Sequence, residues 1–160
     1  GYYILAEAIS KISGKDWDKF ITERLFIPAG MTQTRTNSAA DIIPNRVSGY
    51  HQTAEGIRNA ENWIAVRPSG GFSSTVQDLA KWDSFLENGN LLSQEDRRLM
   101  WAQSVLNDKT NVNYGLGWFV DSYLGRSRIN HDGQYPGFRT DYERFPEDNL
   151  SVIILANLDN

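Results

Sequence analysis

The sequence contains no cysteine in its 160 residues, and this absence excludes several kinds of chemistry. Without thiols the chain forms no disulfide, builds no cysteine zinc site and has no thiol nucleophile. Histidine is scarce as well, because only His51 and His131 are present and neither stands in a spacing typical of metal ligands. We therefore expect no metal and no other cofactor.

Long apolar runs and a basic stripe are also missing. Runs such as residues 152–156 stay far below the ~20 apolar residues that a membrane-spanning helix needs, so no span is predicted. The 20 acidic and 16 basic residues are scattered along the chain and give a formal net charge of -4, which does not favour a nucleic-acid partner. The 40% hydrophobic content is that of an ordinary globular protein.

The first 112 residues are predicted to be mainly helical, with long loops. A helical apolar pattern runs to Ile12 and Gly14 follows it, which predicts a first helix and its end. Asp16 is the predicted cap of a second helix that stops at Pro28.

A long loop separates these helices from the next ones. Between residues 31 and 71 the helical periodicity fades, and only short pieces at 47–51 and 63–66 favour strands. A third helix is predicted after the loop, with the core-facing residues Val76, Leu79, Phe85 and Leu86. Ser93, with Asp96 three residues later, predicts the start of a short fourth helix.

Residues 113–160 are predicted to form antiparallel strands. Four strand-like runs, YGLGWFV, SRINH, FRTDYERF and LSVIILAN, are separated by turn-forming segments at 122–125, 132–137 and 146–149. Three short connections in a row indicate an antiparallel meander. The last run is apolar on both faces, so we expect it to be central and covered on both sides. Together the patterns predict an α+β arrangement over 1–160.

His131 is the leading candidate for a functional residue. We expect it at the end of a strand, followed by Asp132, Gly133 and Gln134. The glycine would let the backbone approach a ligand closely, while the strand edge could present N–H groups to an oxyanion beside the imidazole. The alternative is a histidine in an ordinary turn whose glycines serve only the backbone geometry.

Two other features leave a functional and a structural interpretation open. The segment SGGF, at residues 69–72, precedes a helix and could bind an anion, or it could be a tight packing turn. Five aromatic residues could form a sugar-binding platform, or they could belong to the core. They are Trp63, Trp101, Trp118, Tyr114 and Tyr135.

Four segments together resemble the serine β-lactamase and penicillin-binding-protein family, in its class C-like branch of esterases, D-stereospecific peptidases and carboxypeptidases. In chain order they are the opening helix pair with its P-x-G-M ending, PSGGFSSTVQDLAKW, YGLGW and HDGQYPGFRT. The resemblance runs over nearly the whole chain. It implies a β-lactamase/transpeptidase-like fold, an antiparallel sheet packed with helices, here as a partial domain truncated at both ends.

The resemblance also implies roles for the residues around His131. In this family a Lys- or His-x-Gly strand completes the pocket, which makes His131 the first residue of that motif and Gly133 its glycine. Gln134 is then expected to supply a backbone N–H to the oxyanion hole. Asp132 and Tyr135 are the expected substrate contacts.

The family's two other motifs are not in this sequence. A Ser-x-x-Lys helix carries the nucleophile and a Tyr-x-Asn loop supplies proton transfer, yet no lysine here has a serine three residues before it and no tyrosine has an asparagine two residues after it. The resemblance therefore implies that the nucleophilic serine, the lysine and the tyrosine lie upstream of Gly1. We expect the chain by itself to be inactive.

Asp132 stands where the family usually has a small or hydroxyl residue that helps to bind a substrate carboxylate. A carboxylate there would repel such a substrate, unless Asp132 forms an ion pair with Arg139. Histidine instead of lysine at position 131 lowers the fixed positive charge of the site. The resemblance implies acyl-enzyme hydrolysis of a small-molecule or peptide acyl substrate, which is a β-lactam, an ester or a D-amino-acid peptide. If Asp132 is ionised and faces the pocket, an ester or amide without a nearby carboxylate is favoured over a β-lactam or a D-Ala-D-Ala peptide.

Two other functional interpretations of the sequence stay open. One is a catalytically dead domain that binds a peptide or cell-wall fragment, and another is a carbohydrate-binding module with exposed tryptophans. The resemblance implies a bacterial periplasmic or extracellular setting. If the apolar last strand, residues 150–157, lacks a cover, we expect self-association through its exposed edge.

Overall fold

The computed structural model describes residues 1–37, 40–61, 67–88 and 91–159. The predicted strand piece at 63–66, which includes Trp63, lies outside these residues. The helices are α1 (Tyr2–Ser13), α2 (Trp17–Ile21), α3 (Val76–Asn88) and α4 (Gln94–Met100), with a π-helical segment at Thr22–Phe26 and a 3-10 turn at Pro146–Asp148. The strands are β1 (Arg35–Thr36), β2 (Tyr50–Thr53), β3 (Gly56–Asn59), β4 (Phe72–Ser73), β5 (Ser104–Val105), β6 (Asn111–Val112), β7 (Phe119–Tyr123), β8 (Arg126–Tyr135), β9 (Phe138–Phe145) and β10 (Leu150–Ala156).

The largest sheet is a four-stranded antiparallel meander in the order β10-β9-β8-β7. The α+β prediction and the meander prediction for the last part of the chain are thereby confirmed. Helix α3 lies on one face of the sheet and is joined to it by polar side chains. The hydroxyl groups of Tyr142 and Ser151 both donate to Asp83 Oδ1, at 2.5 and 2.9 Å, and the guanidinium group of Arg144 donates to Glu87 at 2.8 Å.

Within the described residues the last strand is neither central nor covered on both faces, so that prediction is wrong for this chain, whereas the expectation of an exposed edge is met. Strand β10 lies at an edge of the described sheet, and Leu150, Val152 and Ile154 on it remain 52, 39 and 52% exposed. An apolar pattern shows that a strand can be buried, but it does not show which element covers it. Within the described residues only the α3 side of β10 has a cover.

The position of one predicted turn is also wrong. Strand β8 continues through Tyr135, so only Pro136 and Gly137 remain for the turn that was expected over 132–137. His131 consequently lies inside a strand and not at its end. The reason is the pairing with β9, which supplies partners for every residue from Ile129 to Tyr135.

The long loops contain more strands than the sequence predicted. Strands β2 and β3 form a hairpin slightly beyond the predicted strand at 47–51, and β5 pairs with β6 in a connector that looks purely polar. The β2–β3 hairpin is fixed against the β8–β9 turn because Tyr50 N–H lies 3.3 Å from Gly137 O and 3.0 Å from Asn157 O. Long-range backbone bonds of this kind leave no periodic signal in a short segment.

The buried side chain in the first turn of α3 is the carboxylate of Asp78, whereas Val76 was expected to face the core. Leu86 is 3% exposed, as predicted, but Val76 is 40% exposed and Asp78 only 1%. The Thr75 hydroxyl caps this helix by accepting the Asp78 N–H at 3.2 Å.

The predicted start of α4 is confirmed, because Ser93 accepts the Asp96 N–H at 3.0 Å and donates its own N–H to Asp96 at 3.1 Å. The predicted end of the first helix at Gly14 is also confirmed, since this residue ends α1 with φ 68°. In the part of the chain that the structure describes, no helix is both long and apolar enough to cross a membrane.

Candidate functional site

The segment from His131 to Tyr135 lies on an open edge of the sheet. On one side β9 pairs with all five residues, whereas on the other side β7 pairs with β8 only as far as Asn130. Among the described residues, no strand covers this edge beyond Asn130. A ligand can therefore reach the backbone of residues 131–135 of β8 from this side.

Hairpin geometry determines which backbone groups point to the open edge. In a two-residue hairpin the flanking residues, here Tyr135 and Phe138, form the first hydrogen-bonded pair, and the pairs then alternate along the ladder. The backbone groups of Gly133 and His131, like those of Tyr135, therefore form their hydrogen bonds with β9. The backbone N–H of Gln134 points away from β9, toward the open edge, and this is the orientation that an oxyanion-hole donor requires.

Gly133 permits a close approach between the two strands. It lies opposite Thr140, and a Cβ atom at position 133 would clash with the Thr140 hydroxyl oxygen. The glycine therefore keeps β8 and β9 in register directly between His131 and Gln134. The ordinary-turn alternative for this glycine is not supported, because it lies within a strand.

The imidazole of His131 has a defined contact at each ring nitrogen. Its Nδ1 lies 2.5 Å from Asp132 O, and its Nε2 lies 3.0 Å from the hydroxyl oxygen of Tyr114. The ring is also flanked by Phe119, with ring centroids 5.5 Å apart. The side chain is solvent-exposed, so it forms a polar surface beside the open edge.

Asp132 carries an exposed carboxylate beside this surface. It lies opposite Asp141, while Arg139 lies opposite Gln134. Among the described residues no ion pair involves Asp132, and the alternative pairing with Arg139 is not found. Asp132 therefore contributes negative charge to the open edge.

A cavity adjoins the end of β8, between it and the β2–β3 hairpin. It is lined by His51, Asn59, Glu61, Gln134, Tyr135, Pro136 and Asp159. The candidate residues Gln134 and Tyr135 are thus brought to one cavity, whereas His131 and Asp132 lie farther along the strand.

Asp159 connects the cavity wall to the β8–β9 turn. One carboxylate oxygen accepts the Gly137 N–H at 2.7 Å and the other lies 2.6 Å from His51 Nδ1. The bond from Gly137 and then His51 hold the pKa of Asp159 below its ordinary value, although desolvation opposes them. Sequence reasoning missed this pair because 108 positions separate its members, and neither residue lies in a recognisable motif.

The two remaining candidates from the sequence have structural roles. In SGGF, the N–H groups of Gly70 and Gly71 lie 3.3 and 2.9 Å from Arg67 O, as in a tight turn, and the buried Asp78 at the following helix start would repel an anion. The predicted aromatic residues that the structure describes do not form a platform, and Trp63 lies outside the described residues. Trp101 packs against Arg144 and Trp118 packs against Tyr142, on the face of β9 that α3 covers. No group of three or more acidic or histidine side chains converges on a metal position in the described ranges.

Comparisons with known proteins agree with this architecture. The family model described as Beta-lactamase matches residues 1–160. Penicillin-binding protein 4* of Bacillus subtilis is 26% identical over 173 residues, which cover 98% of this chain and 38% of that relative. D-aminopeptidase of Brucella anthropi is 27% identical over 169 residues, which cover 99% of this chain and 30% of that relative.

The fold is also found among solved structures. The penicillin-binding protein from Bacillus halodurans superposes with a TM-score of 0.84 at 19% identity, covering 99% of this chain and 50% of that one. The chain spans only 30 to 38% of the length of the two curated relatives.

Proposed function

The chain belongs to the β-lactamase family, and from this premise we propose that it forms one wall of the acyl-transfer site of a serine hydrolase. The observation that carries the proposal is the open edge of β8, where His131 and the N–H of Gln134 face a possible ligand. The nucleophilic serine, its lysine and the tyrosine are contributed from outside residues 1–160. The 160 residues alone are then inactive, because they contain neither Ser-x-x-Lys nor Tyr-x-Asn.

The proposed reaction is acyl transfer to a serine followed by hydrolysis. The serine oxygen attacks the carbonyl carbon of the substrate, and the amine or alcohol leaves with a proton to give an acyl-enzyme. The N–H of Gln134 stabilises the negative charge that develops on the carbonyl oxygen. Water then attacks the acyl group, which restores the serine hydroxyl and releases the acid.

We further propose that the substrate bears a free amine near the reacting carbonyl. The cavity beside Gln134 is lined by the carboxylates of Glu61 and Asp159 and by His51, which contacts Asp159, and in the described part of the chain no lysine or arginine lines it. Asp132 adds a further negative charge along the strand. Such surroundings attract an ammonium group and repel a carboxylate. The D-aminopeptidase relative supports this choice over a β-lactam.

Hydrolysis of matched substrates by the full-length protein tests this proposal. We expect kcat/KM for the p-nitroanilide of D-alanine to exceed that for its N-acetyl derivative by about tenfold or more, since a hydrogen bond to a charged group is worth about 1.5–3 kcal/mol. Glu61→Gln should remove most of this preference without changing hydrolysis of the acetylated substrate. Glu55→Gln, in the turn of the neighbouring β2–β3 hairpin and outside the cavity, is the matched control. Faster hydrolysis of penicillin than of either anilide would contradict the proposed substrate.

Self-association through β10 is a separate proposal. This strand has no partner on its outer edge within the described residues, and Ile154 on it is 52% exposed. An uncovered apolar edge is a template for strand pairing with a second copy. Analytical ultracentrifugation of the 160-residue chain at high micromolar concentration should detect dimers, and Ile154→Lys should abolish them. Ile12→Lys, at an 88% exposed position on α1, should leave them intact. A monomeric wild-type chain would refute the proposal.

A further inference from the structure

The two contacts of the His131 ring determine where its proton lies. A carbonyl oxygen can only accept a hydrogen bond, so the nitrogen 2.5 Å from Asp132 O, which is Nδ1, carries the hydrogen. In a neutral imidazole the other nitrogen, Nε2, is then an acceptor. The hydroxyl group of Tyr114 at 3.0 Å must therefore donate to it.

Tyr114 is itself fixed by its surroundings. It forms an isolated bridge with Phe119, the first residue of β7, and the two rings meet edge to face with their centroids 4.8 Å apart. Phe119 also contacts His131, so one aromatic ring supports both partners of the hydrogen bond. This arrangement limits rotation of both side chains.

The protonation state of Tyr114 suits the role of a donor. Burial is the main cause that raises the pKa of its hydroxyl group above the ordinary value. The hydroxyl group therefore keeps its proton throughout the neutral range. It remains available to donate to His131 under any condition in which the imidazole is neutral.

We propose that Tyr114 is a positioning residue for His131, and this inference rests on the proposed function of the open edge. Tyr114 holds the imidazole in the Nδ1-protonated tautomer and occupies Nε2. The His131 ring is then a fixed, neutral part of the pocket surface, and it is not the proton acceptor in the free enzyme. A cation at this place would attract a substrate carboxylate, so the contact also favours substrates that lack one.

Removing the Tyr114 hydroxyl group should release the ring. In Tyr114→Phe the Nε2 atom loses its donor, both tautomers become accessible and the ring can rotate away from Asp132 O. Because Tyr114 acts through His131, we expect kcat of the full-length protein to fall about tenfold, with KM changed by less than about twofold. A tenfold change corresponds to the net value of one hydrogen bond, about 1.4 kcal/mol.

The test combines histidine nitrogen NMR with kinetics on the full-length protein, with D-alanine p-nitroanilide as the substrate. Wild-type His131 should give the spectrum of a single Nδ1-protonated tautomer near neutral pH, and Tyr114→Phe should give an average of two tautomers. Tyr3→Phe, at a 59% exposed tyrosine on α1, should leave both the spectrum and kcat unchanged.

The wild-type spectrum keeps the proposal falsifiable even if Tyr114→Phe fails to fold. An Nε2-protonated or doubly protonated His131 in the wild-type protein would overturn the proposal, as would a single unchanged tautomer with full kcat in Tyr114→Phe. The predicted tautomer in a protein that hydrolyses no acyl substrate would support the positioning contact and refute only the proposed function.

Discussion

Replacement of Gly133 by alanine should lower kcat/KM of the full-length protein about 100-fold, the loss that accompanies a displacement of about 1 Å in a reacting geometry. The added Cβ atom would clash with the hydroxyl oxygen of Thr140 on the paired strand. Either the Thr140 side chain or β8 must shift to relieve this clash, and we expect β8 to move away from β9. That movement shifts the N–H of Gln134, which is the next residue along the strand.

A second substitution can separate this steric effect from any other effect of alanine. The new Cβ atom would lie 3.8 Å from the Thr140 Cβ, which is ordinary contact, so Thr140→Ala should remove the clash and restore most of the activity. Thr140→Ala alone should remain close to wild type. Full activity of the single variant Gly133→Ala would show that close approach at this position is not required.

Replacement of Asp78 by alanine should lower the free energy of unfolding by about 1–3 kcal/mol, the cost typical of leaving a buried hydrogen-bonding group without its partner. The side chain is 1% exposed. Its carboxylate accepts the Gln33 N–H at 2.6 Å, the Thr34 hydroxyl at 3.0 Å and the Lys81 ammonium at 2.9 Å. Alanine would remove the acceptor for the Gln33 N–H and for the buried Thr34 hydroxyl group, which keeps only its contact with Ser74. Urea unfolding measures the difference. Asp16→Ala should change it by less than about 0.5 kcal/mol, because the Asp16 carboxylate is 70% exposed and, contrary to the sequence prediction, makes no side-chain capping bond to α2.

Asp78 should also make the free energy of unfolding depend on pH. Burial opposes ionisation of Asp78, but the hydrogen bonds from Lys81, Gln33 and Thr34 outweigh it and hold the pKa of Asp78 below its ordinary value. A carboxyl group with a lower pKa in the folded state stabilises the fold above its unfolded pKa, about 3.9, and loses that contribution as the pH falls through the folded value. The stability difference between wild type and Asp78→Asn should therefore shrink on acidification. A constant difference from pH 7 to pH 3 would contradict this explanation.

Local patterns in the sequence were sufficient to predict much of the fold. Gly14 ends α1 and the Ser93–Asp96 pair starts α4, because capping depends only on residues a few positions apart. The four strands of the meander were predictable because short turns separate them. The strand that carries His131 was predicted, although it extends to Tyr135, and Gly133 within it lies opposite Thr140.

The remaining features depend on contacts between distant segments. The position of β10 at the sheet edge is set by which elements cover it, and this information is not contained in the strand itself. The contact between His51 and Asp159 joins segments that are 108 residues apart. The Tyr114–His131 bond spans 17 residues, and an aromatic side chain before a strand is ordinarily taken as part of the core. Each case requires the tertiary structure.

The most direct test of the account is intact-mass spectrometry after incubation with a fluorophosphonate. The reagent would be applied to the 160-residue chain and, separately, to a longer form of the protein that includes sequence ahead of Gly1. We predict one adduct on the longer form, on a serine outside the 160 residues, and none on the 160-residue chain. An adduct on a serine within the 160 residues would contradict the account of the nucleophile, and the absence of any adduct on either form would favour a catalytically dead binding domain.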